Sequence, residues 1–330
     1  MSEEILINVT PQETRVAVIE NGVAQEAFIE RARKRGLVGN IYKGVVQRVL
    51  PGMQAAFIEV GLERAAFLHA SDIVYGAEVD NLNHDNGNGN GRPPPPPITE
   101  LLSEGQQLLV QVIKDPLGTK GARLTTHITI PARFLVYMPF TRHVGISQKI
   151  EGEAERQRLK ELVEAGLPED EEGGYIVRTA AEAVNESELH ADINFLKRVW
   201  GAIQEKAAET EPSSIVHEDL PLAMRAIRDL VGVSVEKVRI DSGETFEKAN
   251  KFVTKFIPEL ASGIEYYEGP RPIFDLYGVE DEIQRALQPK VQLKSGGHLI
   301  IDQTEAMTTI DVNTGAFVGH RNLDETIFKT

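Results

Sequence analysis

Hydrophobic and polar residues alternate singly near the start of the chain. Ile5–Thr10, Thr14–Ile19 and Ala24–Ile29 each read as a strand with one buried face. Between the second and third runs lies Asn21-Gly22, and because both residues tolerate positive φ the pair predicts a tight hairpin. Three antiparallel strands are expected. A basic linker leads to a second set of runs at 38–50, 55–60, 65–68, 107–113 and 122–130. Five short strands with glycines at their turns predict a small barrel of the OB type. The barrel is interrupted by the Asn/Gly-rich stretch Asn81–Arg92 and by Pro93–Pro97. The first has nothing to bury and the second prefers polyproline II, so 77–97 is expected to be a disordered surface insert without chemistry of its own.

From Phe134 the pattern becomes mixed. Glu153–Glu164 has the spacing of an amphipathic helix, Tyr175–Arg178 that of a strand, and Glu186–Thr210 that of a long helix carrying Leu189, Ile193, Leu196, Val199, Trp200 and Ile203 on one face. These predict a compact αβ unit. Helices near Leu220–Leu230 and Phe246–Ile257 flank a strand at Val238–Asp241. They are expected to return over the opening hairpins and complete one split domain. Val279–Leu287 reads as a helix, and His298–Ile301 and Met307–Asn313 as paired strands, in a final unit expected to continue past Thr330. No internal repeat is visible.

A chain of 330 residues accommodates two or three domains. It has no cysteine, which excludes disulfides and thiolate zinc sites within it and makes the cytoplasm the natural location. The start lacks a basic segment followed by an apolar one, and no stretch approaches the roughly 18 apolar residues of a membrane span, so neither export nor membrane insertion is expected. The formal charge of −15 would on average repel nucleic acid. Positive charge is nevertheless gathered in Arg31, Arg33, Lys34, Arg35, Lys43 and Arg48, and screening over about 10 Å makes the local footprint the relevant quantity. A solvated basic loop would look the same.

Three groups of residues could carry chemistry. Phe57 and Phe67 fall on neighbouring strands of the expected barrel, with Lys43, Arg64, Lys114 and Lys120 available. Flat rings that stack bases and cations that follow phosphates make a single-strand binder, although pattern alone does not separate this from two core rings. Arg178-Thr179 ends a strand, where a guanidinium and a hydroxyl can grip a terminal phosphate; many strand ends carry such pairs innocently. Met307, Thr309, Asp311 and Asn313 alternate onto one strand face, with Asp302 and Glu305 nearby. A carboxylate beside a carboxamide suits Mg²⁺, which takes one or two carboxylates and keeps its waters, or else caps turn amides. There is no GxxxxGK[ST], GxGxxG after a strand, or HExxH. The scattered histidines, His143, His217 and His320 among them, read as solvated or packing residues. Coiled-coil heptads, which a filament-forming role would need, are absent.

Several longer motifs resemble one family. Asn8-Val-Thr-Pro-Gln-Glu-Thr-Arg-Val-Ala17, Gly39-Asn-Ile-Tyr-Lys-Gly44, Gln54-Ala-Ala-Phe-Ile-Glu-Val-Gly61, Ala66-Phe-Leu-His-Ala-Ser-Asp-Ile73, Lys114-Asp-Pro-Leu-Gly-Thr-Lys-Gly-Ala122 and Glu305-Ala-Met-Thr-Thr-Ile-Asp-Val-Asn-Thr-Gly-Ala-Phe-Val-Gly319 are similar to motifs of the ribonuclease E/G family, from about residue 4 onward.

The resemblance implies an α+β multidomain fold. An RNase H-like domain (1–34 with 221–287) would hold two insertions: an OB-type RNA-binding domain (35–127) and an αβ 5′-sensor domain (128–220). A truncated DNase I-like catalytic subdomain (288–330) would follow. Phe57, Phe67, Lys120, Lys114 and Lys43 are expected to bind RNA. Arg178 and Thr179, with the backbone at Val136, are expected to hold a 5′-monophosphate. Asp311 would bind Mg²⁺ and Asn313 would orient the attacked phosphate or its water. The implied activity is cleavage of single-stranded, A/U-rich RNA, precursor ribosomal RNA and messenger RNA, leaving 5′-phosphate and 3′-hydroxyl ends. A second family aspartate and a cysteine pair that shares zinc between two subunits have no counterpart in these residues. Zinc and the homodimer are therefore expected only of a full-length protein. This chain is expected to bind RNA and cleave it weakly; a non-catalytic RNA-binding or scaffold protein is the alternative.

Overall fold

The computed structural model of the chain describes residues 2–75, 96–168, 171, 173–231 and 235–317. Strands Glu3–Val9, Glu13–Glu20 and Val23–Arg31 pair antiparallel in chain order. Asn21 and Gly22 take φ of 49° and 81°, the two left-handed positions of a type I′ hairpin turn. Two further strands extend the sheet, each parallel to its neighbour: Val235–Ile240 beside the first strand, then Ile264–Tyr266. The chain therefore leaves this sheet after Arg31 and returns at Val235. Both faces are covered. Ile5, Ile7 and Val16 meet Ala226 and Ile227 of helix Leu222–Leu230 and Ala249 and Val253 of helix Gly243–Phe256. On the other face Leu6, Ala17 and Ile19 meet Ile273, Phe274 and Val279.

Between these visits the chain builds a closed barrel. Strands Ile41–Leu50, Ala55–Glu59, Ala66–His69, Arg123–Thr125 and Gln107–Lys114 pair in that order, and the last pairs back onto the first. A closed five-stranded barrel is the architecture expected of an OB-type domain. Val46, Ala56, Ile58, Ala66, Leu68, Val110, Val112 and Leu124 fill it. One further strand, Ser214–His217, attaches outside to Ile41–Leu50. Most of the expected insert, residues 77–95, lies outside the described residues.

A third sheet, in the order Val144–Ile146, Gly174–Val177, Leu135–Met138, Ile130–Pro131, packs on helices Glu153–Gly166 and Glu186–Glu209. The long helix begins at a capping box in which Asn185 and Glu188 satisfy each other's backbone amides. Last comes a three-stranded sheet, Lys290–Gln292, His298–Gln303 and Thr308–Asn313; residues 318–330, with His320, lie outside the described residues. Among the described residues no helix is long and apolar enough to cross a membrane.

Candidate nucleic-acid interface

Alternation on the barrel decides where its aromatic residues point. Ala56, Ile58, Ala66 and Leu68 are fully buried inside, so Phe57 and Phe67, directly opposite each other in the ladder, face outward and are half-buried. Their ring centroids are 6.3 Å apart with planes at 70°, and His69 continues the row 6.5 Å from Phe67. Beside the rings the chain turns back between Leu117 and Lys120, and Gly118 supplies the positive φ of 57°. Arg64 braces that turn by donating to the Gly118 carbonyl. Gly121 allows the strand after it to close on its neighbour: a Cβ there would lie 2.1 Å from the Ala65 carbonyl oxygen. Phe67 N donates to Ala122 O at 2.7 Å in the same approach.

The result is a groove of about 1100 Å³. Phe57, Phe67, Met53 and Leu117 supply apolar surface, Arg48, Arg64, Lys114, Lys120 and Arg123 supply positive charge, and among the described residues Asp115 is the one acid lining it. Asp115 accepts from Leu37 N at 2.6 Å, and Arg123 pairs with Asp72 at 2.9 Å. Of the residues expected to contact RNA, the structure brings together Phe57, Phe67, Lys114 and Lys120. It does not bring Lys43. The Lys43 ammonium donates to the carbonyls of Ala207 and Thr210, at 3.1 and 2.9 Å, at the end of helix Glu186–Glu209. Unsatisfied carbonyls and the negative end of the helix dipole draw a cation there. The basic cluster of the linker is also divided: Arg31, Lys34 and Arg35 line a separate cleft of about 640 Å³ with Glu30, Asp115 and Asp219. Sequence inspection missed Met53 and Leu117, which are 60% and 81% exposed; the only signal is a large apolar residue at a turn, as in Pro116-Leu117-Gly118.

Arg178 and Val136 share the third sheet. Val136 is paired with Ile176, and Arg178 follows the strand that contains Ile176. The Arg178 backbone amide donates to Phe134 O at 2.8 Å, while its guanidinium donates to the carbonyls of Ala132 and Arg133 and lies 3.9 Å from Asp229. The side chain remains 38% exposed, so donors are left over for a ligand. Thr179, exposed, opens a 3₁₀ turn over Thr179–Ala181. Behind this edge, Asp192 accepts from the amides of Phe134 and Leu135 at 2.6 and 3.0 Å. Burial pushes its carboxyl up to about 6, with the backbone hydrogen bonds and Arg228 pulling the other way. Arg228, itself buried, is held bidentately by Asp229 at 2.7 and 2.8 Å and donates to Pro131 O at 2.9 Å. His143 lines a cleft beside the same sheet, and burial lowers its pKa and that of His217.

Asp311 and Asn313 lie on one face of the last strand, opposite Ile300 and His298. The Asn313 amide donates to Asp311 Oδ2 at 3.0 Å. Asp302, opposite Thr309, is on the same face. Among the described residues no three His, Asp or Glu side chains converge as a metal cage. A carboxylate beside a carboxamide is a hard-oxygen donor pair, the ligand type that Mg²⁺ takes while keeping several waters.

The sequence model of the Ribonuclease E/G family matches residues 129–330. Ribonuclease G of Escherichia coli (strain K12) is 56% identical over 330 residues, covering 100% of this chain and 66% of that protein. Ribonuclease G of Haemophilus influenzae is 55% identical over 327 residues, 99% of this chain and 65% of that protein. Ribonuclease E of a Nostoc species is 35% identical over 334 residues, 100% of this chain and 46% of that protein. The chain thus spans 66% of the length of the first of these relatives.

Proposed function

This chain belongs to the ribonuclease E/G family, and we propose that it is the RNA-gripping part of an endoribonuclease that acts on single-stranded, A/U-rich RNA in the cytoplasm. The observation that carries this is the groove in which the outward-facing Phe57 and Phe67 lie between cations. Stacked bases need exposed aromatic faces, and the phosphates between them need positive charge that tracks the strand. Lys114 and Lys120 supply that charge at the rim.

Arg178, Thr179 and the Val136 backbone receive the 5′-monophosphate, the guanidinium through charge-assisted bonds and the hydroxyl as a further donor. Asp311 would hold Mg²⁺, and Asn313, bonded to it, would fix the carboxylate's direction and orient the attacked phosphate or its water. When bound, the ion supplies an activated water and neutralises charge on the phosphodiester, which gives 5′-phosphate and 3′-hydroxyl products in ribosomal RNA maturation and messenger decay. The five-stranded sheet completed by Val235–Ile240 corresponds to an RNase H-like domain, the third sheet to the 5′-sensor, and the final strands to the start of a DNase I-like unit.

The test is fluorescence anisotropy of a labelled 5′-monophosphorylated A/U-rich oligoribonucleotide, followed by gel analysis with Mg²⁺. Binding that weakens in Phe57→Ala and Arg178→Ala, with slow cleavage abolished by Asp311→Ala, is the expected result. Binding with no cleavage at all favours the non-catalytic RNA-binding alternative, and no binding refutes the groove assignment.

A further inference from the structure

The grip of Arg178 depends on a bend in the chain at 131–135, and each peptide unit there is held from two sides. The unit joining Arg133 to Phe134 gives its N–H to Asp192 at 2.6 Å and its carbonyl to the Arg178 guanidinium at 3.1 Å. The next unit gives its N–H to Asp192 at 3.0 Å and its carbonyl to the Arg178 backbone amide at 2.8 Å. Asp192 and Arg178 therefore face each other across the same two amides. A carboxylate that fixes the N–H ends fixes the direction of the carbonyl ends, and it is the carbonyl ends that aim the guanidinium.

The position of Asp192 in its helix is unusual. It stands three residues after Leu189 and directly before Ile193, both buried, and is itself 9% exposed. It thus takes a slot on the apolar face that an aliphatic side chain would ordinarily fill. An aliphatic residue there would leave two buried amides without acceptors, so the carboxylate is retained for what it bonds.

We propose that Asp192 is the positioning residue of the 5′-phosphate grip, acting through the 131–135 bend to set Arg178 for a terminal phosphate. This rests on the assignment of Arg178 as the phosphate contact. Both amides donate to one oxygen of Asp192, Oδ2. The Arg133 amide also bonds the carboxylate; the oxygen of an asparagine can still accept from Phe134 and Leu135, the two amides whose carbonyl partners hold Arg178, so Asp192→Asn keeps the bend, whereas Asp192→Ala removes the acceptor altogether.

The experiment uses the 330-residue chain in EDTA and two versions of one A/U-rich oligoribonucleotide, bearing a 5′-monophosphate or a 5′-hydroxyl. The quantity read is the ratio of their dissociation constants. A charge-assisted grip gives the wild type a preference for the phosphate of roughly tenfold. Arg178→Ala and Asp192→Ala both bring the ratio to about one, the loss falling on the 5′-monophosphate RNA; Asp192→Asn retains the wild-type ratio. Asp192→Glu, which moves the acceptor by one methylene, also lowers the ratio and serves if the alanine variant does not fold. A wild-type preference that persists in both Asp192→Ala and Asp192→Glu overturns the proposal alone. Equal loss of affinity for both RNAs also overturns it, because the carboxylate is then only a packing residue. A wild-type ratio of one overturns the phosphate assignment and this proposal together.

Discussion

Replacing Asp192 by Asn should also change how stability depends on pH, and in a direction opposite to that of most carboxylates. Burial raises the Asp192 carboxyl from its ordinary 3.8 to about 6. Between those values the folded chain holds a proton that the unfolded chain has released. Stability from this group is therefore fully present below about 3.8 and is lost as pH rises through about 6. At about 1.36 kcal/mol for each pH unit, the interval corresponds to about 3 kcal/mol. The charged groups around it act as a counterweight: Arg228 favours the ionised form, as do the amides of Phe134 and Leu135, while Asp229 engages Arg228 and approaches Arg178. Exposed acids behave differently. Glu155, held down to about 2 by its hydrogen bonds to Arg158 and Ala183, loses its contribution as pH falls. Subtracting the Asp192→Asn curve cancels these shared contributions. The assay is urea unfolding followed by the fluorescence of Trp200, the one tryptophan of the chain. Trp200 lies on the same helix as Asp192 and packs edge-on against Phe140 at 5.6 Å. The wild-type minus variant difference should fall by roughly 2–2.5 kcal/mol between pH 4 and pH 7. A difference that stays flat would refute the burial argument, and one that rises would mean that the amide hydrogen bonds outweigh desolvation.

Four other outcomes are expected. Phe57→Ala and Phe67→Ala should each weaken RNA binding by about 5- to 150-fold, the range given by roughly 1–3 kcal/mol of stacking, measured by anisotropy with folding checked by circular dichroism. Lys43→Met should leave RNA affinity within about twofold and lower the stability reported by Trp200 by about 1 kcal/mol, because its ammonium serves two helix-terminal carbonyls; a large loss of RNA binding would return Lys43 to the interface. Gly121→Ala, whose Cβ would stand 2.1 Å from a backbone oxygen, should cost roughly 1–3 kcal/mol and weaken RNA binding together with stability, since Lys120 and Phe67 are placed by that contact. With Arg64 and Arg123 engaged by protein partners, Arg48, Lys114 and Lys120 remain for phosphates. The plot of log affinity against log salt for a short single strand should accordingly have a slope near −2, from about 0.7 for each of three contacts.

What could be read from the chain alone follows the range of the forces involved. The hairpin at Asn21-Gly22 is local chemistry, and it forms as written, with both residues at positive φ. The five barrel strands were legible because each is a short apolar alternation between turn glycines. Closure of the barrel was expected from the fold type and not from any residue: it depends on Ile41 meeting Gln111, a pairing across the insert that no window of sequence contains. The attachment of Ser214–His217 to the barrel is likewise non-local. Strands Ile130–Pro131 and Leu135–Met138 have no polar positions alternating with the apolar ones, so no strand period registers there.

The same distinction separates the site residues. Asp311 and Asn313 are two apart on one strand, so their meeting is fixed by the pleat and was visible in advance. Phe57 and Phe67 required one further fact, the register of two adjacent strands, and it is that register which turns both rings outward. Lys43 shows the limit. Its charge and its strand were correctly read, yet a helix end more than 160 residues away supplies the carbonyls that take its ammonium. A lysine on a barrel surface answers to whichever acceptors fold against it, and sequence does not name them. Asp192 is the converse case: its interruption of the apolar stripe between Leu189 and Ile193 was in plain view. A carboxylate at a core position of an amphipathic helix must find donors or lose its charge, so such a residue marks a tertiary contact even before its partner is known. Here the donors are the amides of the bend that aims Arg178. Core acids of this kind therefore point toward a site from the side the ligand never touches, where a search for exposed cations and rings does not look.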